Sequence, residues 1–122
     1  MTSRSRSASA PSRGEIWNLR FDPSEGAEIT KIRPAVVISI PAVGRLPLRI
    51  VAPVTEWKDH YSRFPWLVRI VATKRNGLAK DSAADAFQVK SVSLTRFVSQ
   101  VGSIAADDLQ EISAAVALCV GA

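Results

Sequence analysis

The stretch Glu28-Ile29-Thr30-Lys31-Ile32-Arg33-Pro34-Ala35-Val36-Val37-Ile38-Ser39-Ile40 runs from a charged lead-in into an apolar segment. Val and Ile are stiff at χ1 and suit a pleated surface, so Ala35 to Ile40 reads as a buried β-strand. Proline has no backbone donor and tends to mark the first residue of a strand, which sets the start at Pro34 and leaves Arg33 just ahead of it. A guanidinium in that place has its backbone held by the strand while its head reaches a cleft. It is a suitable station for a permanent cation that must meet a phosphate in fixed geometry. The alternative is an Arg33 that pairs with Glu28 across a loop.

Short strands continue on both sides. Gly14 to Phe21 sets Ile16 out of phase with Trp17, Leu19 and Phe21, with Glu15, Asn18 and Arg20 polar, as in a half-buried strand. Asp22-Pro23-Ser24-Glu25-Gly26 is turn chemistry. Past Ile40, Ala42 to Pro47 is a connection, and Leu48 to Val54 is a strand closing at Pro53-Val54-Thr55. Glu56 to Pro65 is a polar loop holding Trp57, Lys58, Asp59, His60, Tyr61 and Arg63, Trp66 to Val71 a strand, and Lys74-Arg75-Asn76-Gly77 a turn. From Ala83 onward two or three more strands are expected, with Phe87, Val89 and Val92 and then Phe97, Val98 and Val101 facing inward. Short strands punctuated by turn signals argue for a small barrel. Ala105 to Val120 differs: Leu109, Ile112, Val116 and Cys119 form one stripe of an amphipathic helix, with Asp107, Asp108 and Glu111 toward its positive end and Gly121 as its stop.

A chain of 122 residues with 47% hydrophobic and 22% charged residues fits one globular domain. No apolar run approaches the ~20 residues that span a bilayer, so no membrane partner is expected. The net charge is +5; Arg4, Arg6 and Arg13 contribute three of it, leaving +2 on residues 14–122. Met1 to Ser12 reads as a disordered basic leader, with the domain occupying residues 13–122. The lone Cys119 excludes an internal disulfide and suits a reducing cytoplasm, and one Cys with one His makes no zinc cluster. Neither a metal nor another cofactor is expected.

Arg13-Gly14-Glu15-Ile16-Trp17, Asp22-Pro23 with Gly26 and Glu28, Arg33-Pro34-Ala35-Val36-Val37-Ile38 and Ala52-Pro53-Val54-Thr55 follow one another in order. With Gly77-Leu78-Ala79-Lys80-Asp81-Ser82, Gln88-Val89-Lys90-Ser91-Val92 and the closing helix, they resemble the MazF/PemK family of toxin endoribonucleases, collinearly over residues 13–121. The resemblance implies a mainly β fold, a small SH3-like β-barrel with a C-terminal α-helix. It also implies a homodimer that cuts single-stranded RNA without metal and is neutralised by a cognate antitoxin.

In such chemistry the RNA's own 2'-OH is the nucleophile, and the protein stabilises charge on the phosphorane and assists the proton transfers. The family's catalytic Arg and Thr/Ser positions fall on Arg33 and Thr55, and Glu28 is a candidate for orienting Arg33 or acting as base. Trp57, Lys58, Tyr61, Arg63, Gln88 and Lys90 supply the aromatic and basic mixture that single-stranded RNA favours. Trp66, in step with Val68 and Ile70, reads as core, and Trp17 as core or dimer interface. His60 matches no catalytic position and reads as a surface residue. Some relatives carry an acid immediately before the Gln and a base two positions earlier. This chain has Phe87 and Asp85 there, which throws the burden onto Arg33 and Thr55 and supports an alternative, a MazF-like barrel that binds nucleic acid or an antitoxin peptide without cutting.

Overall fold

The computed structural model describes residues 10–21 and 31–122. Asp22 to Thr30, and with them Glu28, lie outside the described residues, as does the leader up to Ser9. Among the described residues seven strands form the sheet: β1 (Glu15–Arg20), β2 (Ile32–Val37), β3 (Leu48–Glu56), β4 (Leu67–Ile70), β5 (Ser82–Asp85), β6 (Lys90–Ser93) and β7 (Phe97–Ser103). An α-helix, α1 (Ala106–Cys119), closes the chain. The strand order is β4-β5-β3-β2-β1-β7, with β6 also on β3. Every pair is antiparallel. The sheet curls like a barrel, but its end strands β4 and β7 do not pair.

Alternation on β1 to β3 builds two cores. Ile16, Val36, Ala52 and Val54 point into the larger one, which Val68, Ile70, Ala84 and the helix residues Ile112 and Ala115 complete. Leu19, Ala35, Val37 and Val51 point the other way, with Trp17, Phe21, Val92 and Phe97 packed against them. Burial on both faces is why the run after Pro34 is apolar without interruption. It also accounts for the phase change at Ile16, where the β1–β7 register shifts between Ile16 and Trp17 and again between Asn18 and Leu19.

Several expectations need correction. β2 begins at Ile32, so Pro34 is its third residue and Arg33 lies inside the strand, opposite Leu19. Phe87 and Val98, expected to face inward, are 63% and 43% exposed. Phe87 belongs to a 3-10 turn (Ala86–Gln88) that turns its side chain out of the sheet. The folded part also takes in Pro11, which is buried and whose carbonyl accepts 2.9 Å from Arg49 Nε. Arg49, only 8% exposed, donates through Nη1 to the Leu46 and Leu48 carbonyls as well.

The turn between β4 and β5 is built on Asn76, which is 2% exposed. Its Nδ2 donates to the Val71 carbonyl, and its Oδ1 accepts from the Thr73 and Leu78 N–H groups. Gly77, at φ +70°, and Gly102 let this turn and β7 touch through their backbones: a Cβ on Gly77 would meet the Val101 oxygen at 2.2 Å. Asn76→Ala strips three buried hydrogen bonds and is expected to cost about 2–4 kcal/mol of stability by urea unfolding, with the midpoint lowered and the slope unchanged.

Candidate active site

The β2–β3 ladder comprises Val37↔Val51, Val36↔Ala52 and Ala35↔Pro53, and there it stops. The next bond across the seam would come from residue 34, and Pro34 has no N–H to make it. On its other edge β3 passes from β6 to β5 at Val54, while Arg33 and Ile32 remain paired with β1. The two strands therefore part like a fork. Because they are antiparallel, Arg33 and Thr55 stand level with each other, each two residues past the last bonded pair.

A cleft of about 390 Å³ opens at this fork. Arg33 and Thr55 line it together with Tyr61, Asp85 and Gln88, and its apolar walls include Pro53, Phe64 and Trp66. Both Arg33 and Thr55 are exposed to it. Among the described residues Arg33 has no hydrogen-bond or ion-pair partner. By contrast, Arg69 is held by Asp81 at 3.1 Å and Lys80 faces Glu56 at 3.7 Å. Asp85 Oδ1 accepts from the Phe87 N–H and Oδ2 from Gln88 Nε2, both at 3.0 Å. An aromatic row follows the wall, with Trp66 between Phe64 (ring centroids 5.2 Å apart) and Phe87 (5.7 Å). Trp66 thus does two things: it packs on the larger core and presents part of its ring to the cleft.

The other aromatic and basic candidates are placed elsewhere. Trp57 lines a second, more open depression between β4 and α1, where the Arg69 guanidinium lies 5.2 Å over its ring. It meets Tyr61 edge-on, and Tyr61 bridges toward the cleft from the 3-10 turn Asp59–Arg63. Lys58 and Arg63 are exposed on either side of Tyr61 but do not line the cleft. Lys90 sits over Phe21 at 5.0 Å in a depression with Arg20 and Ser91. Among the described residues no group of three His, Cys, Asp or Glu side chains is placed to hold a metal ion.

The cleft brings together a guanidinium unpartnered among the described residues, a hydroxyl, a carboxylate-held amide and an aromatic wall, groups able to meet a phosphate and an unstacked base. The comparisons with known proteins agree on the kind of protein. The family described as PemK-like, MazF-like toxin of type II toxin-antitoxin system matches residues 12–120, and the chain belongs to that family. It is 33% identical over 112 residues to Endoribonuclease MazF9 of Mycobacterium tuberculosis, covering 87% of this chain and 92% of that one. The crystal structure of MazF (Form-I) from Deinococcus radiodurans superposes with a TM-score of 0.74 at 27% identity, over 93% of this chain and 98% of that one. The MazE-MazF (Form-II) crystal structure from the same organism gives 0.74 at 26%, over 92% and 96%.

Asp81 holds the rim of the Trp57 depression. The Ala72 N–H and then the Arg69 side chain bond its carboxylate and hold its pKa below the ordinary value. With the folded pKa lowered, this stabilisation is complete above the unfolded value of about 3.9 and is lost as pH falls through the folded one. Wild type is therefore expected to be more stable than Asp81→Asn at neutral pH. The gap between their urea midpoints should begin to narrow below about pH 4 and close as pH falls past the lowered folded pKa, and a gap that stays constant through that fall contradicts the assignment.

Proposed function

We propose that this chain is the toxin of a type II toxin–antitoxin pair and an endoribonuclease that cuts single-stranded RNA by attack of the 2'-OH on the adjacent phosphate. The observation that carries this reading is the meeting of Arg33 and Thr55 across the β2–β3 fork, in one cleft, with the guanidinium unpaired among the described residues. As the phosphorane forms, negative charge grows on its non-bridging oxygens. Arg33 neutralises that charge, and the Thr55 hydroxyl donates a hydrogen bond to one of those oxygens. The 2'-hydroxyl gives up its proton as its oxygen bonds phosphorus, the bond from phosphorus to the 5'-oxygen breaks, and that oxygen takes up a proton, which leaves a 2',3'-cyclic phosphate and a 5'-hydroxyl. Family membership and the named endoribonuclease relative support the same chemistry. In this reading Tyr61 and Gln88 contact RNA within the cleft. Lys58 and Arg63 meet its backbone as it leaves, and Trp57 and Lys90 serve flanking nucleotides.

The partners belong to the same reading. The chain pairs with a second copy and is neutralised by an antitoxin segment that carries carboxylates to the cleft guanidinium of Arg33. The lone Cys119 and the absence, among the described residues, of a helix long and apolar enough to cross a membrane accord with work in the cytoplasm.

The test is incubation with mixed-sequence single-stranded RNA in EDTA, with mapping of the ends. Cleavage leaving 2',3'-cyclic phosphates is expected, and each of Arg33→Ala and Thr55→Ala is expected to lose about 10²–10³ in rate while remaining folded. Either variant cutting at the parental rate would overturn the site, and a folded wild type that binds RNA without cutting it would leave a binding module.

A further inference from the structure

We propose that Asp85 is a positioning residue that sets which bases the cleft accepts, by locking the Gln88 amide in one orientation. The inference rests on the reading above only in taking single-stranded RNA as the ligand. A carboxylate accepts hydrogen bonds and donates none, so the 3.0 Å contact between Asp85 Oδ2 and Gln88 must be made by the amide nitrogen. The amide cannot turn over without setting two acceptors against each other. Among the described residues nothing bonds Gln88 Oε1, which is left to the cleft while Nε2 spends one N–H on Asp85. The other carboxylate oxygen is fixed by the Phe87 N–H, so Asp85 is itself anchored to the backbone.

The chemistry of an oriented amide is selective. On unpaired bases, the atom at the 6-position of purines or the 4-position of pyrimidines is an amino donor in adenine and cytosine and a keto acceptor in guanine and uracil. A base stacked on the aromatic row, with that position toward Gln88, meets Oε1, an acceptor. Adenine or cytosine is satisfied there, and guanine or uracil sets oxygen against oxygen. Phe87, 63% exposed and in ring contact with Trp66, offers the stacking surface next to the amide. The acidic side chain two residues before Phe87 thus acts on base choice, whatever removes the proton in the reaction.

Asp85→Asn gives a readout that a merely structural role would not move. Asn keeps an oxygen for the Phe87 N–H but presents an NH₂ to Gln88, so the amide should turn over and offer its own NH₂ to the base. Dye-labelled 2'-O-methyl oligo(A), oligo(C) and oligo(U), which lack the free 2'-OH and cannot be cut, are titrated by fluorescence anisotropy. Wild type is expected to bind the A and C oligomers on the order of tenfold tighter than the U oligomer. Asp85→Asn is expected to reverse the order, and Gln88→Ala to level it. A wild-type preference that Asp85→Asn leaves unchanged, or no binding of any of the three, overturns the inference. Amino preference that reverses in Asp85→Asn, in a protein that does not cut ordinary RNA, would support the inference and refute the nuclease reading alone.

Discussion

Pro34 withholds an N–H donor at the place where β2 would otherwise go on pairing with β3. The ladder ends at Ala35↔Pro53, and on its other edge β3 takes up with β5 from Val54. Had the two strands continued in register, Arg33 and Thr55 would face each other as an ordinary cross-strand pair. The fork turns that pair into two walls of a cleft. Their backbones stay bonded, Arg33's to β1 and Thr55's to β5, so both side chains start from rigid strands. Held strands with free side chains satisfy the need of catalysis for groups placed before the charge appears.

The distribution of charge supports the same division of labour. Arg13 donates to the Ile38 carbonyl and the Ser113 hydroxyl, and Arg49 to the Pro11, Leu46 and Leu48 carbonyls, which ties residues 11–13 to the body. Arg69 is held between Asp81 and the face of Trp57. Exposed ion pairs of this kind add little to stability. The Arg33 guanidinium, in the cleft, has no ion-pair partner among the described residues.

Much of this was legible in the sequence because the signals were local. Alternation around Ile16, the apolar run after Pro34 and the helical stripe through Leu109, Ile112, Val116 and Cys119 each report a burial pattern with a short period. The order of the motifs placed Arg33 and Thr55. What escaped depended on contacts between distant segments. Pro34 signals a strand start, yet it lies inside β2 and ends the pairing with β3, and only the register reveals the fork. Phe87 and Val98 look like core by composition, and a 3-10 turn and an exposed stretch of β7 place them outside. Trp57 lies beside Lys58 in sequence but pairs in space with Arg69, and the Arg49 clamp on Pro11 has no local signature. Asp85 stands where some relatives carry a basic group, and its bond to Gln88 has no signal in the sequence.

The central claim is that Arg33 and Thr55 act on a single phosphate held at the fork. A double-mutant cycle on the single-turnover cleavage rate, with Arg33→Ala, Thr55→Ala and the pair combined, tests it most directly. Two groups gripping one phosphate act as a unit, so the combined variant is expected to lose much less than the product of the two single losses. Losses that multiply would show two independent roles and contradict the shared site.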